Sequence, residues 1–224
     1  AHAIGCKVNN QHVGTFGQSG CFSFYPTKNL TTIEGGMVIT NSKKIADFIR
    51  SARNHGISKT LASRFSKGKP WDYDVENPGY NYRLDEIRAS LGINQMKRIK
   101  KMNSLRKKAA NYYTEKLGNV NGIIVPSKSI NAEHVHHLYV IRITEKYSIT
   151  RDILFNKLLK SGIRTSVHYK PLHMFKIFKK MAKTSGSLSN SKNVYSQILS
   201  LPMYPSISKK QQNLVIRNIE RYEG

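Results

Sequence analysis

Residues 20–40 read Gly-Cys-Phe-Ser-Phe-Tyr-Pro-Thr-Lys-Asn-Leu-Thr-Thr-Ile-Glu-Gly-Gly-Met-Val-Ile-Thr, and no other stretch restricts the fold of this chain as tightly. Phe22 to Tyr25 predicts a short buried strand and Met37 to Thr40 a second, with Gly35-Gly36 as the turn that opens the second. The polar loop between them must present Lys28, with hydroxyls nearby at Ser23 and Thr27. An amine held between two buried strands is partly desolvated, and a desolvated amine is nucleophilic toward a carbonyl. Taken alone, Lys28 reads as a solvated loop lysine in a basic chain. The surrounding segment is what sets it apart.

Beyond that segment the patterning alternates. Ile45, Phe48, Ile49 and Ala52 recur at helical spacing from Lys43 to Asn54, with Ser42 as the N-cap. Ser58 to Pro78 is polar, carries Trp71 and Tyr73, and reads as a long surface loop of the kind that serves function. Leu84 to Leu117 is the longest helical pattern, its apolar stripe formed by Leu84, Ile87, Leu91, Ile99, Met102 and Leu105. Lys97, Arg98, Lys100, Lys101, Arg106, Lys107 and Lys108 form a solvated basic face. The helix is expected to link two domains, residues 1–117 and a small C-terminal domain of residues 118–224. In the latter, Gly122 to Val125, His137 to Thr144 and Arg164 to Tyr169 predict strands. Thr150 caps a helix closed by Gly162, and Ser208-Lys209-Lys210-Gln211 is a capping box for a last helix. The mixture predicts an α/β class.

Composition excludes some functions. The chain has 224 residues and a formal net charge of +24, which raises nucleic acid as a partner. The lysines are scattered along helices, however, and no nucleic-acid-binding signature appears, so no specific nucleic-acid partner is expected. A nucleotide sugar would meet the same positive surface. No apolar run is long enough for membrane insertion and no secretory signal is present, which predicts a cytoplasmic location. Cys6 and Cys21 lack metal-ligand spacing. His134, His136 and His137 cluster without Cys or carboxylate partners and read as structural, so no metal is assigned.

Ser23, Phe24, Lys28, Glu34, Gly35 and Gly36 resemble the cofactor-lysine segment of the DegT/StrS (DnrJ/EryC-type) family. These are sugar-nucleotide aminotransferases that use pyridoxal 5'-phosphate (PLP). The likeness continues through Arg53-Asn54-His55-Gly56, Gly79-Tyr80-Asn81-Tyr82-Arg83-Leu84, Thr165 to His173, and Leu199 to Pro205. Five blocks in one order make the resemblance specific. It implies the PLP-dependent transferase (aspartate-aminotransferase-like) fold, as the end of the large domain followed by the small α/β domain. It also implies that Lys28 holds PLP as an imine and then serves as base and acid, and that Ser23 binds the cofactor phosphate. His2 would contact the cofactor ring, and Asn81 would reach the phosphate across a homodimer interface. His168, Tyr169 and His55 are the substrate-contact candidates, although each has an ordinary structural reading beside a strand end or a helix-ending turn.

The implied reaction is transamination of a nucleotide-activated keto-sugar, with glutamate or a similar amino donor, serving amino-sugar biosynthesis for surface polysaccharide or glycoconjugate. A related dehydratase branch replaces the lysine with histidine, and Lys28 argues against it. A non-enzymatic basic nucleic-acid-binding module is the other alternative. Ala1-His2-Ala3 resembles the end of the family's D-x-A-(H/Q)-A block, so the Asp that pairs with the pyridine nitrogen would precede Ala1. The chain is therefore expected to be the C-terminal portion of a longer enzyme, inactive by itself.

Overall fold

A computed structural model of the chain describes residues 1–57, 61–66, 68, 70–128 and 130–223. In chain order its first half forms β1 (Lys7–Val8), β2 (Gln11–His12), β3 (Gly20–Ser23), β4 (Gly36–Ile39), α1 (Lys43–Ala52), α2 (Leu61–Phe65) and α3 (Glu86–Leu117). There follow β5 (Ile123–Ile124), β6 (Ala132–Glu133), β7 (Tyr139–Ile143), α4 (Arg151–Lys160), a 3-10 turn at Leu172–Met174, α5 (Lys176–Met181), α6 (Ser189–Gln197), β8 (Ile198–Leu201) and α7 (Lys209–Glu220). These elements make two compact units. Unit 1 is Ala1–Lys100 with Asn131–His134, and unit 2 is Lys101–Ile130 with Val135–Gly224.

In unit 1, β3 and β4 form an antiparallel pair in the register Gly20↔Ile39 to Ser23↔Gly36. A second small sheet has the order β2-β1-β6. Phe24, Leu30 and Ile99 form a buried cluster against which Ile4 and Phe22 pack. The Ser42 side chain caps α1 by accepting from the Ile45 amide. The two predicted strands sit at Gly20–Ser23 and Gly36–Ile39, close to their expected places. They are less buried than expected, with Met37 and Val38 exposed. A two-stranded ribbon cannot cover both of its own faces. Of the expected loop from Ser58 to Pro78, residues 61–65 are α2, while Ser58, Lys59, Thr60, Lys67 and Lys69 lie outside the described residues.

Unit 2 holds the larger core. Its antiparallel sheet has the order β5-β7-β8, and β7 alternates buried Tyr139, Ile141 and Ile143 with half-buried Val140 and Arg142. That period of two is what a strand with one covered face requires. Leu154 and Leu158 of α4, and Val215, Ile216 and Ile219 of α7, close the core together with Tyr113 and Leu117 from the end of α3. Thr150 caps α4, and the Ser208–Gln211 capping box opens α7. Gly122 has a φ of +75°, and a Cβ there would lie 2.2 Å from the Tyr147 nitrogen, so this tight turn excludes any other residue.

Two expectations are corrected here. Arg164 to Tyr169 is not a full strand and pairs only through the Ser166↔Ser200 bridge. The strand beside β7 is instead β8, in the register Tyr139↔Leu201 to Arg142↔Ile198. Arg106 does not lie on a solvated face. It is 6% exposed and donates to the carbonyls of His136, His137 and Met203 at 3.1–3.3 Å. Carbonyls left open where the chain leaves regular structure attract a cation strongly enough to bury it, although burial pulls the guanidinium below its ordinary pKa.

Candidate functional site

The Lys28 loop is pinned at both ends. The Phe24 amide donates to the Gly35 carbonyl, and the Phe24 carbonyl accepts from the Thr32 amide (2.9 Å) and the Thr31 hydroxyl (3.0 Å). Asn29, Leu30 and Thr32 are almost fully buried, the Thr31 amide reaches Gln95 Oε1 at 3.2 Å, and the Lys28 amide closes a turn on the Tyr25 carbonyl. With its backbone held this way, Lys28 is half-buried and its Nζ lies 2.6 Å from His2 Nε2. That contact suits the His2 tautomer protonated at Nδ1, whose Nε2 accepts from the ammonium. Ser23 is drawn in as well, since its amide donates to the Ala1 carbonyl at 3.4 Å. Its Oγ accepts from the Tyr25 amide at 3.4 Å, which leaves the hydroxyl proton to donate. Lys28 and His2 are thus in contact, and the Ser23 backbone is tied to Ala1, the residue before His2.

A second group in the same unit holds His55 and Asn81. Tyr80 and Tyr82 bond to the carbonyls of Ala52 and Arg53, the His55 amide donates to the Tyr80 carbonyl, and Asn54 and Asn81 form a β-bridge. Gly56 has a φ of +77°, and a Cβ there would stand 1.7 Å from the Asn77 carbonyl oxygen, so the close turn after α1 needs glycine. Arg83 Nη1 lies 2.7 Å from His55 Nε2 and 3.1 Å from Asn54 Oδ1. Beside them Arg50, Arg53 and Arg83 line a cleft of about 630 Å³ that Asn54, Asn77 and Glu76 also border. Sequence carries two signals for these arginines: Arg53 and Arg83 fall within the blocks of resemblance, and Arg50 stands three residues before Arg53 on one helical face. Asn81 itself is exposed.

His168 and Tyr169 belong to unit 2. Their rings meet edge-on with centroids 4.8 Å apart. His168 Nδ1 lies 2.8 Å from the hydroxyl of Ser200, which is buried in β8. With Ser200 donating to Nδ1, a neutral His168 carries its proton on Nε2. Sequence alone does not pair Ser200 with His168. Two residues 32 positions apart have no local pattern to join them. His137 is buried and its carbonyl serves Arg106, while burial lowers the His134 pKa. Among the described residues no group of three or more His, Cys, Asp or Glu side chains is placed to hold a metal ion.

Comparison with known proteins matches residues 1–220 to the model of the DegT/DnrJ/EryC1/StrS aminotransferase family. The spore coat polysaccharide biosynthesis protein SpsC of Bacillus subtilis is 36% identical over 222 residues, 98% of this chain and 57% of that protein. The UDP-4-amino-4,6-dideoxy-N-acetyl-beta-L-altrosamine transaminase of Campylobacter jejuni is 32% identical over 215 residues, 96% of this chain and 55% of that protein. Among solved structures, Spr1654 of Streptococcus pneumoniae in its PMP form superposes with a TM-score of 0.89 at 25% identity, over 100% of this chain and 57% of that one. The chain spans a little over half the length of the relatives it matches.

Proposed function

This chain belongs to the DegT/DnrJ/EryC1/StrS aminotransferase family, and from that premise we propose that it serves PLP-dependent transamination of a nucleotide-activated keto-sugar. Glutamate or a similar amino acid would donate the amine, and the product would enter surface polysaccharide or glycoconjugate. The observation that carries this reading is the amine of Lys28, fixed by its pinned loop 2.6 Å from His2 Nε2. The loop fits PLP: a half-buried primary amine suits an aldehyde carbon, and the Ser23 hydroxyl, with a proton left to donate, suits a phosphate. When bound, PLP supplies the electron sink for the reaction.

Each residue of the chain then has a task. Lys28 would hold the cofactor through its amine and, once released, would move a proton between the donor carbon and the cofactor as base and acid. His2, which contacts the Lys28 amine, would also contact the cofactor ring. Ser23 would bind the cofactor phosphate, and Asn81 would reach a phosphate in the partner subunit of a homodimer. His55, His168 and Tyr169 would contact the sugar nucleotide. We further take residues 1–117 as the cofactor-binding part and residues 118–224 as the small domain. Cys6 and Cys21 are unpaired, which supports a reducing cytoplasm as the site of action.

The test is borohydride reduction of the PLP-loaded protein, followed by peptide mapping. The reduced cofactor is expected on the peptide containing Lys28, and in the full-length enzyme Lys28→Ala should abolish transamination with an unchanged circular dichroism spectrum. Labelling of another lysine would overturn the assignment.

A further inference from the structure

From Ile153 to Ile219 the chain carries twelve Lys and Arg residues and not one Asp or Glu. This run lies wholly in unit 2. Five of the lysines fall between Lys170 and Lys183, around the 3-10 turn and α5. At about 100° per residue, Ile177, Phe178 and Met181 occupy one arc of α5 roughly 100° wide. Lys176, Lys179 and Lys180 occupy the arc on the opposite side.

An amphipathic surface helix ordinarily turns its apolar arc inward. Here Ile177 is 59% exposed and Met181 75%, while Leu172 of the preceding turn is 66% exposed. The segment is nonetheless ordered from within. The Phe175 amide bonds to the Leu172 carbonyl at 3.0 Å, and the rings of Phe175 and Phe178 meet edge to face with centroids 6.4 Å apart. The Lys170 ammonium stands 5.2 Å over the Phe175 ring. Local structure therefore leaves the apolar arc of α5 and the lysines on its other side both exposed.

We propose that this surface docks on an anionic lipid bilayer. The lysines meet headgroup phosphates, and Leu172, Ile177, Phe178 and Met181 enter the boundary of the acyl chains. Charge complementarity selects this occupant. A second copy of the same face would set lysine against lysine, with no carboxylate in the run to relieve the repulsion. Nucleic acid would engage the lysines but has no use for exposed Leu, Ile and Met, since bases stack on aromatic rings and phosphates on cations. A lipid interface takes both kinds of side chain. One short segment makes the attachment peripheral and sensitive to salt. The proposal stands apart from the transamination reading and does not require a bound cofactor.

Co-sedimentation with vesicles tests it, using phosphatidylcholine alone and phosphatidylcholine mixed with phosphatidylglycerol. The protein should bind the anionic vesicles, leave the neutral ones, and detach progressively as salt rises. The triple variant Lys176→Glu, Lys179→Glu, Lys180→Glu should bind roughly tenfold more weakly or worse. The double variant Ile177→Ser, Met181→Ser should bind at least about threefold more weakly. All five positions are exposed, so both variants should melt with the parent protein. A control variant, Lys97→Glu, Lys101→Glu, Lys108→Glu, removes the same charge from α3 and should bind within about twofold of the parent. The proposal is overturned if the control loses as much as the α5 variant, because bulk charge would then be sufficient. It is equally overturned if the Ile177/Met181 variant binds as well as the parent, or if duplex DNA is bound in preference to the anionic vesicles.

Discussion

Tyr139 is fully buried in β7, and its hydroxyl lies 2.9 Å from that of Thr114. Burial pushes its phenol from 10.0 up to about 12, against a smaller lowering by the Thr114 hydrogen bond. Burial raises Tyr113 and Tyr147 in the same direction. A group whose pKa is raised by folding gives stability that is intact below the unfolded value and declines as pH climbs toward the folded one. Unit 2 should therefore hold its structure up to about pH 10 and lose it across the next two units. Far-ultraviolet dichroism should stay level up to about pH 10 and fall above it, and a spectrum still unchanged at about pH 12 would sink the idea. Tyr139→Phe should move that alkaline midpoint upward. At the same scale, Lys28 could be found from sequence because its neighbours fall at fixed offsets along one segment. The contact of His168 with Ser200 could not, because each residue looks ordinary until the β-bridge at Ser166 brings Ser200 beside it.

The last helix shows what an element owes to its first turn. The Ser208 hydroxyl accepts from the Gln211 amide at 3.2 Å, and Gln211 Oε1 accepts from the Ser208 amide at 2.9 Å. These bonds satisfy two backbone groups that α7 would otherwise leave open. Ser208→Ala should cost about 1 kcal/mol. Because Val215, Ile216 and Ile219 anchor α7 in the core of unit 2, the loss should appear as a lower urea midpoint with an unchanged slope. No change in midpoint would mean that the cap contributes nothing. Caps of this kind, at Ser42, Thr150 and Ser208, were legible because donor and acceptor lie within one turn of chain. β8 was not, since Ile198 to Leu201 is four buried residues with neither alternation nor helical period. The burial of Arg106 escapes the sequence pattern for a related reason: its three acceptors lie 30 to 97 positions away.

Across the whole molecule the two units differ in how much they bury. Unit 2 holds the large cluster built on Tyr113, Tyr139, Leu154 and Ile219, whereas the cluster of unit 1 has Phe24, Leu30 and Ile99 at its centre. Amides deep in a packed core open only with the whole unit, and those on a two-stranded ribbon open locally. Hydrogen exchange on the intact chain should accordingly leave β7 and α4 the slowest to exchange, and β3 and β4 faster by about a hundredfold or more. Equal protection in the two would contradict this account. The path of the chain has a further consequence for anyone wishing to take the protein apart. It enters unit 2 at Lys101, returns to unit 1 for Asn131–His134, and enters unit 2 again at Val135. β6 is the visitor, laid antiparallel on Lys7 and Val8. No single protease cut, gene fusion or crossover junction can then exchange one unit cleanly for another. A graft spliced at Lys100 carries away the strand that borders β1, and one spliced at Val135 leaves behind the helix end that fills the core of the piece being moved.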